Sequence, residues 1–342
     1  NKLYFFKNLN INILAIFVYL SKKTYFCRKR FILKVFNSIN DFITHKKTIV
    51  TLGTFDGVHI GHNAILDKIC NAAQQENLES VILTFFPHPR LIVSNNYDIK
   101  LLNTIEEKSA LLKKKGIQNF IIHPFDKTFS ELTPREFVTQ VLVGKLNIQK
   151  IIIGHDHKFG KDRAADFNDL INFGKEFGFE VEEISAQQIN EVSVSSTRIR
   201  NSLLEGNVSL AKDYLGYPYV LTGNVVKGNQ LGRTINFPTA NIEIPEDYKL
   251  IPKNGVYIVT ANVSNQTVFG MMNIGVKPTL GENKLAIEVH LLDFDKDIYN
   301  QKIQVHILER LRDEQKFESF EALKLQLEVD KQNTIHYFEN LK

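Results

Sequence analysis

From about residue 47 the chain alternates short apolar runs with longer amphipathic stretches. Four runs have the composition of buried parallel strands: TIVTL (48–52), SVILTFF (80–86), NFIIH (119–123) and KIIIG (150–154). Apolar residues at helical spacing separate them, over residues 63–75, 104–115, 133–143 and 166–177. This alternation predicts a doubly wound, Rossmann-like α/β domain with a parallel sheet. Ligands of such sheets bind at the carboxyl ends of the strands.

The pattern changes after residue 216, and Tyr217-Pro218 marks the expected boundary. Short β-rich runs then follow one another between Gly, Asn and Pro, which predicts an antiparallel β-barrel. The tail, FESFEALKLQLEVDKQNTIHYFENL, has helical spacing and is expected to pack across that barrel. We therefore expect an extension (1–33), an α/β domain (34–213) and a barrel domain (214–342).

The positive charge is confined to the first residues. Residues 1–47 contain ten Lys and Arg and one acid, whereas the remainder contains 32 Lys and Arg against 37 Asp and Glu. The body is therefore mildly acidic, and the basic face that nucleic-acid binding requires is missing from the sequence. Two cysteines without a CxxC pair argue against a zinc ribbon or a disulfide framework and suit a reducing, cytoplasmic setting.

The extension itself is ambiguous. Lys2 and Lys7 before the apolar run ILAIFVYL (13–20) are similar to the start of a signal peptide, but no small-residue cleavage site follows. The run is too short to span a bilayer. We expect residues 1–33 to be a dispensable extension, with a targeting or membrane-surface segment as the alternative.

The stretch GTFDGVHIGH (53–62) joins the first predicted strand to a helix. Its glycines allow a ligand to approach the backbone, and the helix N-terminus suits phosphate. His59 and His62 can donate hydrogen bonds to phosphate oxygens during transfer. This arrangement suits attack on the α-phosphate of a nucleoside triphosphate. A metal site and ordinary capping or core histidines are the alternatives.

In the second half, the loop within GNVVKGNQLGRTINFPTANIEIP (223–245) is not a P-loop. Backbone around Gly228 and Gly232 could still hold phosphate, and Thr239 and Asn241 offer the oxygen ligands that Mg²⁺ prefers. Glu288 shares one face of a predicted strand with Ala286 and His290. Such a carboxylate is either a proton acceptor for an attacking hydroxyl or half of a structural ion pair.

Four motifs in the first half resemble the adenylyltransferase module of bacterial bifunctional riboflavin kinase/FAD synthetases: GTFDGVHIGH, TFFPHP (84–89), GHDHKFGKDRAAD (154–166) and SSTRIR (195–200). The resemblance implies that His59 and His62 stabilise the triphosphate. It also implies nucleotide or phosphate contacts for Gly53, Phe55, Asp56, Gly57, Ser196, Thr197 and Arg200, and a nucleotide or metal contact for Asp156. A flavin and adenine region is implied at Pro87, His88 and Pro89.

Five motifs in the second half resemble the riboflavin kinase module: GRTINFPTAN, GVY (255–257), NIGVKPT (273–279), EVHLLDFDKDIY (288–299) and LRDEQKF (311–317). The resemblance implies Mg²⁺-ATP at Gly228, Gly232, Thr239 and Asn241, with the last two as metal ligands. Glu288 is implied as the base for the ribityl 5′-hydroxyl, and Arg312 as part of a flap over the flavin. The chain departs from the family's usual residues at His157, Ala165 and Asn236.

We therefore predict a two-step enzyme that converts riboflavin to FMN and FMN to FAD with ATP. Its partners are these small molecules, with no nucleic acid and no membrane, in a monomer or weak homo-oligomer. A transferase for another mononucleotide would not need the kinase-like half. A flavin-binding protein without catalysis should be damaged at His59, His62, Thr239, Asn241 or Glu288, and these residues are intact.

Overall fold

The computed structural model describes residues 32–93, 99–154, 158–184, 194–228, 231–264, 266–279 and 282–340. Residues Leu33–Lys342 form one compact unit. Its strands are β1 (Lys34–Phe36), β2 (Thr48–Leu52), β3 (Glu79–Phe86), β4 (Asn119–Pro124), β5 (Ile148–Gly154), β6 (Glu180–Ile184), β7 (Tyr219–Val226), β8 (Ala240–Glu243), β9 (Gly255–Val263), β10 (Gln266–Thr279), β11 (Glu282–Leu291) and β12 (Lys302–Arg312).

The first six strands form a parallel sheet in the order β1-β4-β3-β2-β5-β6. The doubly wound sheet is confirmed, with all five residues of β2 buried. The chain first adds β3 and β4 on one side of β2 and then returns to place β5 on its other side. This reversal creates a crevice at the carboxyl ends of β2 and β5, which is where open α/β sheets bind ligands.

The helices of this half lie between the strands as predicted. They are α1 (Ile60–Gln75), α2 (Pro89–Val93), α3 (Ile105–Lys115), α4 (Lys127–Ser130), α5 (Pro134–Glu136), α6 (Phe167–Phe177), α7 (Ser196–Glu205) and α8 (Val208–Leu215). The predicted helix over 133–143 is instead the single turn α5 followed by a π-helix, Phe137–Val143. Apolar side chains form a separate core on each face of the sheet.

The remaining strands form a closed antiparallel barrel in the order β10-β11-β8-β7-β12-β9, which confirms the predicted architecture. A short helix, α9 (Leu231–Thr234), lies in the loop before β8. The C-terminal helix α10 (Phe320–Glu339) packs on β10, where Phe338 stacks on Phe269 with ring centroids 3.9 Å apart.

The hairpin of α7 and α8 joins the two halves of the fold. Ile199, Leu203 and Leu215 from this hairpin are fully buried in the same core as the barrel residues Tyr219 and Tyr257. The helix that carries the SSTRIR motif is therefore packed against the barrel. The segment boundaries expected from the sequence stay a prediction, and residues 1–31 lie outside the described residues.

Candidate active sites

The first site lies where β2 leads into α1, at the carboxyl edge of the parallel sheet. Gly57 has φ +86°, and a Cβ there would come within 2.7 Å of a Leu102 methyl group, so the turn requires glycine. His59 is the N-cap residue of α1, but its side chain makes no capping bond, and the first turn carries no acid. The helix N-terminus therefore remains suited to phosphate.

The two imidazoles of His59 and His62 stack with ring centroids 3.7 Å apart and planes 18° from parallel. Burial lowers the pKa of His59 to about 4, and burial with the charges of His59 and Lys108 lowers the pKa of His62 well below its usual value. Within the described residues, the Nδ1 atoms of both rings are buried without a hydrogen-bond partner. The rings are therefore neutral near pH 7 and offer hydrogen bonds rather than charge.

Asp56, in the same turn, is buried and binds inward. Its Oδ1 accepts from the Leu102 amide at 2.8 Å, and its Oδ2 accepts from Arg200 Nη2 at 2.7 Å. Arg200 also donates from Nε to the Lys100 carbonyl at 2.9 Å, and the Ser196 hydroxyl donates to the Asp56 carbonyl at 2.9 Å. Two predicted site residues from distant motifs, Asp56 and Arg200, are thus brought together as an ion pair.

A cavity of about 470 Å³ opens beside this turn. The predicted residues Gly53, His88, Pro89, Ser196, Thr197 and Arg200 line it. Phe55, Asp56, Gly57, His59 and His62 are not among its lining residues, and Pro87 is exposed and also lies outside the lining. Asp156 lies outside the described residues, as does His157. Ala165 is buried and pairs with Phe159 in a small hairpin of the same motif.

Sequence reasoning missed much of the cavity wall. Five phenylalanines and three further cationic side chains line it: Phe85, Phe125, Phe129, Phe137, Phe159, Arg90, Lys158 and Arg163. A cavity lined by aromatic rings and basic side chains suits a planar ring that carries phosphate. KFGKDR contained three of these residues, but Phe125 and Phe129 follow β4 without any recognisable motif.

The second site lies on the barrel strands β8, β10 and β11. Glu288 pairs in register with Asn241 on one side and with Asn273 on the other. Side chains at directly paired positions share a face of the sheet and lie within contact distance. Thr239 lies just before β8 and lines the same cavity as Glu288 and Asn273. Three of the predicted kinase residues are therefore brought together.

A cavity of about 570 Å³ is lined by Gly228 and Asn241. Two other cavities meet at Thr239. One, of about 340 Å³, lies between the barrel and α10 and is lined by Thr239, Glu288, His290 and Arg312 among many apolar side chains. The other, of about 560 Å³, is lined by Thr239, Asn236 and the residues 294–299 that follow β11. Thr239 lines both of these cavities and is the residue that their linings share.

Glycines allow the close packing of the loop before β8. A Cβ on Gly228 would come within 2.6 Å of Asn241 Cγ, and a Cβ on Gly232 would strike the Phe237 carbonyl. Asn236 has φ +65°, a conformation that glycine adopts freely and that asparagine tolerates better than most residues. This explains why an asparagine can stand where the family commonly has glycine.

Arg312 holds α10 against the barrel. Its guanidinium donates to the buried Asp330 carboxylate at 2.7–3.1 Å and lies 5.8 Å from the centroid of the Phe317 ring. His290, which the sequence placed on the face of Glu288, is bonded through Nδ1 to the Pro238 carbonyl at 2.8 Å. Burial lowers the pKa of His290, so this ring too is neutral near pH 7.

Two negative findings concern the described residues alone. They contain no group of three or more His, Cys, Asp or Glu side chains placed to hold a metal ion. A metal bound at the barrel site would therefore rely on neutral oxygen ligands together with those of a substrate. The described helices include none that is both long and apolar enough to cross a membrane.

Comparisons with known proteins match both halves of the chain. Residues 42–198 match the family model of FAD synthetase, and residues 215–338 match that of riboflavin kinase. The bifunctional riboflavin kinase/FMN adenylyltransferases of Listeria monocytogenes and Bacillus subtilis are 39% and 36% identical, each over 86% of this chain and over 93% and 94% of their own. A crystal structure from Streptococcus pneumoniae, described as a macrolide-efflux protein, is 32% identical over 89% of this chain and 98% of its own, with a TM-score of 0.80.

An α/β nucleotidylyltransferase domain joined to a kinase barrel defines a two-activity transferase. The chain belongs to the family of bifunctional riboflavin kinases/FMN adenylyltransferases. The barrel domain phosphorylates riboflavin to FMN with ATP, and the α/β domain adenylylates FMN to FAD with release of pyrophosphate.

Proposed function

We propose that phosphoryl transfer takes place at Thr239, with riboflavin in the 340 Å³ cavity and ATP in the 560 Å³ cavity. The shared position of Thr239 carries this proposal. The smaller cavity offers an apolar wall from β10 and α10, which suits the flavin ring. The 560 Å³ cavity is lined by Asn236, which adopts a left-handed conformation, and by the loop after β11. This lining suits a polar nucleotide.

Glu288 acts as the general base in this step. Its carboxylate lines the flavin cavity and accepts the proton of the ribityl 5′-hydroxyl while that oxygen bonds to the γ-phosphorus and the bond to ADP breaks. The donor set of Thr239 and Asn241 fits Mg²⁺, because Mg²⁺ in kinases takes few protein oxygens and several from phosphates. The Asn241 amide packs directly against Gly228, where a side chain would displace it, so glycine at this position holds the proposed ligand in place. When bound, the ion would neutralise charge on the phosphates of ATP.

The substitution Thr239→Val tests this assignment, because it keeps the side-chain shape and removes one oxygen. We expect kcat/KM for MgATP in riboflavin phosphorylation to fall about 100-fold, with a higher Mg²⁺ requirement. Thr267→Val, at an exposed position on β10, is the matched control and should leave both values unchanged. Unchanged kinetics for Thr239→Val would show that the phosphoryl group is transferred elsewhere.

For the second reaction, FMN occupies the 470 Å³ cavity with its ring against the phenylalanines. Its phosphate oxygen bonds to the α-phosphorus of ATP as the bond to pyrophosphate breaks, so a side-chain nucleophile is unnecessary. The neutral imidazoles of His59 and His62 donate N–H hydrogen bonds to the triphosphate at the N-terminus of α1. Asp56 acts by fixing Arg200, which lines the cavity and contacts the outer phosphates.

The substitution Phe129→Ala tests the flavin position. We expect KM for FMN in FAD formation to rise about tenfold or more, because an aromatic contact and its buried area are lost. Phe177→Ala, on α6 and outside the cavity lining, is the control for loss of a phenylalanine in the same domain. An unchanged KM for Phe129→Ala would place the flavin elsewhere. The monomeric or weakly oligomeric state and the cytoplasmic location expected from the sequence stay predictions.

A further inference from the structure

Lys249 is a barrel-domain lysine buried in contact with the α/β domain. It lies between β8 and β9, and its side chain has no exposed surface. Its ammonium group donates to the Leu102 carbonyl and to Glu107 Oε2, both at 2.6 Å, and lies 4.3 Å from the centroid of the Tyr219 ring. Removing an ammonium group from water costs free energy, and the two charge-assisted hydrogen bonds that offset this cost fix the positions of the Leu102 carbonyl and the Glu107 carboxylate.

The backbone on either side of Lys249 makes the same connection. The Leu101 amide donates to the Tyr248 carbonyl at 2.6 Å, and the Leu250 amide donates to the Leu101 carbonyl at 2.8 Å. Leu101 and Lys249 thus form a parallel bridge between the two domains. Two backbone hydrogen bonds therefore hold Leu101, and with it the segment 100–102, against residues 248–250 of the barrel domain.

The other edge of this segment supports the adenylyltransferase site. The Leu102 amide donates to Asp56 Oδ1, and the Lys100 carbonyl accepts from Arg200 Nε. Leu102 therefore links the two domains. Its carbonyl accepts from Lys249 of the barrel domain, and its amide donates to Asp56 of the active-site turn. Asp56 and Arg200 are themselves paired at 2.7 Å.

We infer that Lys249 of the kinase domain is a positioning residue for the adenylyltransferase reaction, acting through Leu102 and Asp56 on Arg200. The inference rests on the proposed contact of Arg200 with the triphosphate. Without the lysine, the Leu102 carbonyl and the buried Glu107 carboxylate lose their shared donor. The segment 100–102 can then shift, and with it the two groups that fix the Arg200 guanidinium.

The test compares both activities of the full-length Lys249→Met enzyme in one preparation. We expect kcat/KM for ATP in FAD formation to fall about tenfold or more, while riboflavin phosphorylation changes less than twofold. Lys302→Met is the matched control, since Lys302 forms an exposed ion pair with Glu106 across the same two domains. In case Lys249→Met folds poorly, Lys249→Met/Glu107→Leu removes both charges and avoids the orphaned carboxylate.

A double-mutant cycle with Arg200→Ala separates positioning from a general structural role. We expect the loss caused by Lys249→Met to disappear in the Arg200→Ala enzyme, because both changes remove the same interaction. Equal losses in both activities, or additive losses in the cycle, would overturn the inference. If Arg200→Ala lowers adenylyltransferase activity but Lys249→Met does not, the inference about Lys249 is overturned while the proposed role of Arg200 stands. An undamaged Arg200→Ala enzyme would overturn the proposed role of Arg200 as well.

Discussion

The ion pair of Arg312 and Asp330 holds the C-terminal helix α10 on the barrel, and we expect riboflavin binding to weaken when this pair is broken. Asp330 accepts from Arg312 Nε at 3.0 and 3.1 Å and from Nη2 at 2.7 Å. The Asp330 side chain is 2% exposed and that of Arg312 is 17% exposed. Replacing Asp330 with Asn keeps the side-chain volume but removes the negative charge that holds the guanidinium.

The expected cost follows from this geometry. Breaking a buried ion pair costs about 3–5 kcal/mol, because one charge remains buried and unpaired. Arg312 keeps some contact with solvent and donates from Nη1 to the Asp313 carbonyl at 3.1 Å, so we expect about 2 kcal/mol. The cost acts on the docking of α10, which forms one wall of the 340 Å³ cavity that we propose for riboflavin. At about 1.4 kcal/mol per factor of ten, KM for riboflavin should rise roughly 10- to 30-fold.

The assay measures initial rates of FMN formation over a range of riboflavin concentrations, together with FAD formation from FMN. Adenylyltransferase kinetics should not change, because that site lies in the other domain. Gln332→Ala is the control on the same helix, where the side chain is exposed and bonds only Glu328 among the described residues. A lower melting temperature with unchanged KM for riboflavin would show that α10 does not shape the flavin site.

Three further predictions concern single positions. The pKa of His59 falls from 6.5 to about 4 on folding, so the unfolded ring binds a proton at a higher pH than the folded ring does. The free energy of unfolding should therefore be greatest above pH 6.5 and fall by about 3 kcal/mol toward pH 4. Urea midpoints measured against pH should show this fall, and His59→Gln should reduce it. Gly228→Ala places a methyl group against Asn241, so KM for MgATP in the kinase assay should rise while FAD formation is unaffected. Asn236→Gly should leave stability and kinase rate unchanged, whereas Asn236→Val should cost at least about 1 kcal/mol in denaturant unfolding, since β-branched residues resist positive φ.

The strands with strong periodicity could be predicted, and those at the edges of the sheet could not. The runs at 48–52 and 150–154 are apolar because both faces of those strands are covered. β1 has three residues, mostly exposed, and β6 reads EVEEI, so neither carries a buried-strand pattern. The π-helix at 137–143 was missed because its apolar spacing also suits an α-helix.

The candidate site residues could be predicted where a local motif carries them. GTFDGVHIGH specified the turn and its imidazoles, but not that burial would make both rings neutral. The contact of Lys249 with Glu107 joins residues 142 positions apart and leaves no local signal. The phenylalanines at 125 and 129 line the cavity because the chain after β4 continues beside the end of β3, where the Phe125 amide donates to the Phe86 carbonyl.

The central claim, that each reaction has its own site in its own domain, is tested most directly by a time course. Purified enzyme is incubated with riboflavin, ATP and Mg²⁺, and the flavins are separated by chromatography. The account predicts that FMN appears before FAD, that Glu288→Ala leaves riboflavin unconverted but still adenylylates added FMN, and that His59→Ala/His62→Ala accumulates FMN. Loss of both reactions in either variant, while its melting temperature is retained, would contradict the assignment of separate sites.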